Sequence, residues 1–134
     1  LTVPASVTKI GDGTFIGCTA LATVVIGNGV TGIGSYAFYE CTALTSLKLG
    51  EKVTSIGFET FHGCTALTAV TIPAGVTTYS SSFSNCTSLK AFTVTEGSTS
   101  FTAADGMLCS KDLKTLYHFG DHPGQHHCHR CRGL

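Results

Sequence analysis

Charge is what this chain has least of. Of its 134 residues, 8 are Lys or Arg and 8 are Asp or Glu, so the formal net charge is zero and charged residues make up 12%, about half the ~25% of an ordinary soluble domain. A neutral chain has no electrostatic case for binding nucleic acid or an anionic membrane surface. It also lacks a long apolar run: none approaches the ~18 residues of a membrane-spanning helix. No basic stretch followed by an apolar segment opens the chain at Leu1, which reads as a mature chain or an excised fragment. Disorder is excluded by the opposite balance, because 43% of residues are hydrophobic and mean hydropathy is +0.28. The cysteines number seven, and an odd count excludes a complete disulfide framework within one chain. What remains is one domain, long enough for a real core.

What is present is repetition. Cys18, Cys41, Cys64 and Cys86 recur at spacings of 23, 23 and 22 residues, each within a Cys-Thr-Ala-Leu or Cys-Thr-Ser-Leu run. Other columns keep step: Leu21, Leu44, Leu67 and Leu89; Val7, Val30, Val53 and Val76; Ile10, Ile33, Ile56 and Tyr79; Phe15, Phe38, Phe61 and Phe83. The single deletion falls between Tyr79 and Phe83, where Ser80, Ser81 and Ser82 stand. A unit this short cannot bury its apolar side alone, but stacked units share a continuous core of like residues on like. Each unit opens with Leu-x-x-Φ-x-Φ (Φ apolar), as in Leu21/Val24/Ile26, Leu44/Leu47/Leu49 and Leu67/Val70/Ile72. That spacing predicts a short strand with alternate residues facing inward. Gly27, Gly50 or Pro73 ends it. A second extended piece, Val-Thr-x-Ile, and then a helical or 3₁₀ turn carrying Phe and Cys complete the unit.

The consensus Leu-Thr-x-Val-Thr-Ile-Pro-x-x-Val-Thr-x-Ile-Gly-x-x-x-Phe-x-x-Cys-Thr resembles the BspA-like class of bacterial leucine-rich repeat. The resemblance implies a β-rich, right-handed repeat solenoid, with a parallel sheet on one side and short strands and 3₁₀ or helical turns on the other. One partial and three full units span residues 1–88. Residues 89–119 resemble that family's C-terminal capping unit, in which a strand bearing Phe92 and Val94 leads through Phe101 to a hairpin turning at Ser110, Lys111 and Asp112. Leu1 falls in mid-unit, which reads as a cut from a longer array and predicts fraying or end-to-end association with another chain at that end.

Chemistry-bearing motifs are weak. The stacked cysteines could form a metal chain or redox pairs, but a column of buried, inert thiols is the plainer reading, and parallel side chains do not converge into disulfides. Gly27-Asn28-Gly29-Val30-Thr31-Gly32 matches a dinucleotide fingerprint in letters only, since an extended piece follows where a helix is required. His62 shares an outward column with Ile16, Tyr39 and Ser84, and no motif supplies it with a carboxylate; it reads as a solvated surface residue. Asn85-Cys86-Thr87 is a glycosylation sequon with its cysteine in the core column. The tail, residues 120–134, offers His122, His126, His127, Cys128, His129 and Cys131 as metal ligands, without the second separated pair of a finger. Its composition breaks from the rest so sharply that a disordered or non-native, frame-shifted end is the competing reading. No metal or cofactor is assigned.

The outward residues of the first strands therefore carry the functional expectation. Thr23, Val25, Ser46, Lys48, Ala69 and Thr71 should form one flat, nearly uncharged face without a small-molecule pocket. Its irregularity argues against ice binding, for which only Thr8, Thr31, Thr54 and Thr77 form a regular column. The family resemblance implies a secreted or cell-surface bacterial protein, a non-catalytic interaction or adhesion module whose partner is a protein or a surface glycan. A structural spacer within a larger surface protein, or metal binding through the tail, are the alternatives.

Overall fold

The sequence period becomes one rung of a β-solenoid, seen in a computed structural model that describes residues 1–118. The partial first rung holds β1 (Thr2–Val3) and β2 (Lys9–Ile10), the second β3 (Thr23–Ile26) and β4 (Gly32–Ile33), and the third β5 (Ser46–Lys48) and β6 (Ser55–Ile56). The fourth rung has only its first strand, β7 (Ala69–Ile72), and β8 (Ala91–Val94) opens the closing segment. Strands of one column pair in parallel, in the register the columns set: Thr23↔Ser46, Val24↔Leu47, Val25↔Lys48 in one sheet and Gly32↔Ser55, Ile33↔Ile56 in the other.

The third side of each rung is a chain of turns rather than a helix. Bonds of the i→i−3 kind recur, as from Ile16 N–H to Gly13 C=O and Cys18 N–H to Phe15 C=O. They do not run on into a 3₁₀ helix because two columns sit in the left-handed region: Gly13, Tyr36, Glu59 and Ser81 (φ 65°, 59°, 49°, 52°), and Gly17, Glu40, Gly63 and Asn85 (φ 69°, 58°, 75°, 54°). Such residues cost about 1–2 kcal/mol each when not glycine. The stacking offsets this, since Tyr36, Phe38 and Glu40 each donate from their N–H to the next rung, to Phe58, Thr60 and His62 C=O at 2.7–3.0 Å.

Inside, like packs on like. Phe15, Phe38, Phe61 and Phe83 stack with ring centroids 5.0, 5.2 and 5.1 Å apart and planes within 16°. The Val30, Val53 and Val76 column and the Leu44, Leu67 and Leu89 column are fully or almost fully buried. Each such side chain contributes about 1.5–3 kcal/mol of transfer free energy. At the deletion in the fourth rung Ser82 is buried, as is Thr60, and the Ser82 hydroxyl donates to Gly57 C=O at 3.0 Å.

The far end is covered by an antiparallel sheet of β9 (Phe101–Ala104), β10 (Met107–Ser110) and β11 (Leu116–His118), in the order β11-β10-β9. The turn at Ser110, Lys111 and Asp112 joins β10 to β11. A tighter hairpin, not read from the sequence, joins β9 to β10 through Asp105 (φ 55°) and Gly106 (φ 79°); an Asp-Gly pair with both residues left-handed is the two-residue turn that matches strand twist. Gly106 C=O accepts the Phe92 N–H at 3.0 Å, tying this sheet to the edge of β8. Phe92 also meets Phe83 edge-on at 5.6 Å, so the aromatic column is closed by a perpendicular ring.

Candidate functional site: a split in the first-strand face

All six residues expected on the outward face lie there. Thr23 and Ser46 are direct partners, as are Val25 and Lys48; Ala69 pairs with Ala91 and Thr71 with Thr93. Val25 is half-buried and the other five are exposed. The face is not flat, however, and this corrects the sequence expectation. One sheet is β1-β3-β5 and another is β7-β8, and among the described residues no strand pairing joins β5 to β7. A cleft of about 490 Å³ lies over the C-terminal ends of β5 and β7 and reaches Thr95 of the next rung, within the range of ligand pockets. Lys48 and Thr71 line it, together with Leu47, Glu51, Pro73 and Thr95, none of which was singled out from the sequence for the site.

One residue on the open side lacks a ladder donor. Thr95 stands in the column of Pro73, one rung later, and its N–H donates to Ile72 C=O at 2.9 Å. Pro73 has no N–H, so Leu49 C=O cannot receive the equivalent bond, and the ring occupies the donor's place. Proline is tolerated in a sheet only on an edge, and Pro73 stands on the side of β7 that is unpaired with β5. The column is also tight at its glycines. A Cβ added at Gly50 would sit 2.6 Å from Gly27 O, and one at Gly27 would sit 2.4 Å from Val3 O.

The rungs stay joined on their other two sides. Thr77 N–H donates to Thr54 C=O at 3.0 Å, and Phe61 N–H and Gly63 N–H donate to Ser82 and Ser84 C=O at 2.8 and 3.0 Å. The third and fourth rungs thus open on the first-strand face alone. One consequence is visible in the core: Leu47 is half-buried, whereas Val24, Val70 and Phe92 in the same column are 0%, 2% and 4% exposed.

The turn side carries a second polar arrangement. His62 is not simply solvated. Its Nδ1 lies 2.7 Å from Ser84 Oγ, its ring stacks on Tyr39 with centroids 4.7 Å apart, and its Nε2 lies 3.6 Å from Glu40 Oε1. No local motif signals a carboxylate here, because Glu40 comes from the neighbouring rung. At 3.6 Å the carboxylate is beyond hydrogen-bond reach and does not fix the ring's tautomer, the role a triad carboxylate must play. The arrangement joins three rungs through polar contacts.

The cysteine column is a hydrogen-bonded ladder. The Sγ atoms of Cys41, Cys64 and Cys86 donate to the carbonyls of Phe15, Phe38 and Phe61, one rung back, at 3.3, 3.3 and 3.1 Å. Cys18, on the partial first rung, is half-buried; Cys109 lies in the closing sheet; all five described cysteines are free thiols. Burial, with the neighbouring Cys64 second, pushes the Cys41 thiol up from 9.0 to about 11. The Cys64 thiol is also raised, first by its hydrogen bond with Cys86 and then by burial. Thiolates, the reactive and metal-binding form, are disfavoured in this column. The tail ligands His122, His126, His127, Cys128, His129 and Cys131 lie outside the described residues.

Comparison with known proteins agrees with the coil. A family model described as the BspA type leucine rich repeat region matches residues 1–105 in six copies. No curated protein matches the chain. Among solved structures, the chain is similar to the pneumococcal vaccine antigen PcpA, at 26% identity and a TM-score of 0.68, over 89% of this chain and 36% of that one. It is similar to a leucine rich cell surface protein from Faecalibacterium prausnitzii, at 26% identity and a TM-score of 0.55, over 89% of this chain and 45% of that one. A leucine rich repeat protein of T. pallidum, at 22% identity and a TM-score of 0.53 over 69% of this chain and 56% of that one, shares the fold. The chain thus spans about a third to just over half the length of these structures. With its period, its columns and its matched repeats accounted for, this chain belongs to the BspA-type leucine-rich repeat family.

Proposed function

We propose that this chain is a non-catalytic interaction module of a secreted or cell-surface bacterial protein, engaged in adhesion through the first-strand face of its solenoid. Thr23, Val25, Ser46, Lys48, Ala69 and Thr71 make the contact, and a protein or a surface glycan is the partner. The observation that carries this reading is the cleft in that face, with Lys48 on one wall and Thr71 on the other. Stacking fixes every inward column, so outward columns alone are free to suit a partner. The family and the printed names of two similar structures, a vaccine antigen and a cell surface protein, support the location. Among the described residues no helix is long and apolar enough to cross a membrane. Because the chain spans only 36% of the pneumococcal structure, a spacer role, with binding elsewhere in a longer protein, is the competing reading.

The test is biolayer interferometry against purified fibronectin, laminin, collagen and mucin, comparing the native chain with the double variant Lys48→Glu/Thr71→Arg. Loss of about tenfold or more in affinity, roughly 1.4 kcal/mol, is expected for any partner found. Binding unchanged by the double variant but lost in Tyr39→Ala would move the site to the turn side. No binding to the panel favours the spacer.

A further inference from the structure

We propose that the cleft at β5 and β7 receives one extended polypeptide segment of a partner protein, held by backbone pairing with the facing strand edges that stand unpaired. This rests on the strand-face reading above and specifies its chemistry. The hydrogen-bond pattern makes the case. Ser46 N–H donates to Ala22 C=O at 3.2 Å, and in a parallel ladder the backbone groups of successive residues face alternate neighbours. Those of Leu47 therefore face the cleft. On the other wall, Ile72 C=O is taken by Thr95 N–H, so the groups of Thr71 and Ala69 face the cleft from β7. Two strand edges thus look at each other across an opening. An unpaired edge is a template for another chain, and adding a strand to such an edge is a recurrent mode of peptide recognition.

The side chains state what the segment should carry. Half-buried Leu47 and the ring of Pro73 present apolar surface to the guest's inward residues. Lys48 is the only charged residue among those of β3, β5, β7 and β8, it has no ion pair among the described residues, and Glu51 in the following turn is the other charge in the cleft lining. A carboxylate on the guest complements it. The unbroken bonds on the other two sides of the coil hold the rungs together while the strand side opens to the guest's width, two ladder spacings or about 9.5 Å.

The probe is a capped peptide of alternating threonine and valine with one aspartate, titrated into the ¹⁵N-labelled chain and followed by amide shifts. A second peptide has alternate backbone nitrogens methylated, which blocks pairing and leaves the side chains. The chain variant is Pro73→Gly, which restores the donor with the residue this column has at Gly27 and Gly50. Saturable shifts at Leu47, Ala69 and Thr71 are expected, weakened about tenfold or more by N-methylation or by Pro73→Gly, as a strand-addition mode requires. No saturable shift at millimolar peptide, or equal binding of the methylated peptide, overturns the proposal; the latter means an apolar groove that takes side chains only. Sedimentation of the peptide-free chain as a dimer that Pro73→Gly abolishes also overturns it, by giving the cleft to a second copy. A matrix protein lost by Lys48→Glu/Thr71→Arg but still bound by Pro73→Gly would leave the face reading standing and overturn this one.

Discussion

Single residues carry this coil through columns, and the cysteine column shows how far a column can be read. Its recurrence predicted stacked, buried thiols, and Cys41, Cys64 and Cys86 are 0% exposed. The donation of each sulfur to a phenylalanine carbonyl one rung back could not be read, because it depends on a backbone offset of about one rung that no side-chain pattern encodes. Cys18 departs from the column: it is half-buried, so it should react first with a bulky maleimide in the native state, while Cys41, Cys64 and Cys86 react only after denaturation. The raised Cys41 thiol adds a pH dependence. The folded chain holds that proton more tightly than the unfolded one, so its contribution to stability is complete below pH 9 and is lost as pH rises toward about 11. Thermal melts between pH 8 and 11.5 should show the midpoint falling across that window, and Cys41→Ala should flatten the fall. A midpoint that stays level in the native chain would contradict the burial of this thiol.

Elements are decided where a column changes residue. The strands were legible from Leu-x-x-Φ-x-Φ, and their register followed from the constant period. The split between β5 and β7 was not read, although Pro73 breaks the column of Gly27 and Gly50 on its open side. A strand ender and a missing ladder donor are the same residue seen from two directions, and only the neighbouring strand reveals the second. The glycines of that column can be tested separately. Gly50→Ala brings a Cβ within 2.6 Å of a backbone oxygen that cannot move aside without displacing β3; a cost of about 1–3 kcal/mol is expected. Gly75→Ala meets nothing nearer than 3.6 Å and should stay within ~0.5 kcal/mol of the native chain. Urea melts of the two variants decide it: equal losses would mean that the strand column is not packed as tightly as its carbonyl distances indicate.

At the scale of the whole molecule the coil behaves as a one-dimensional array, in which each rung contributes its own folding free energy and an interface with each neighbour. The family and the columns were legible in the sequence for this reason, since a periodic object repeats its evidence. The site was less so: the outward position of the six strand residues was legible, but the cleft arises between two rungs and belongs to neither. The array view makes the two kinds of rung separable. Inserting a copy of residues 21–43 after residue 43 adds a rung whose strand column holds Gly27 and pairs on both sides. Inserting a copy of residues 67–88 after residue 88 adds one that holds Pro73. Both add core and should raise the denaturant slope in proportion to the surface they bury. The glycine-type insertion should gain more stability, because its first strand pairs with a neighbour on both sides. The proline-type insertion should gain less and create a second cleft, so that the chain takes two equivalents of the threonine–valine peptide by isothermal titration. A tandem peptide long enough to reach both clefts should then bind more tightly than the single one through effective concentration alone. One equivalent in both insertions would mean that Pro73 does not by itself open the face, and the split would have to be sought in the single-residue deletion of the fourth rung instead.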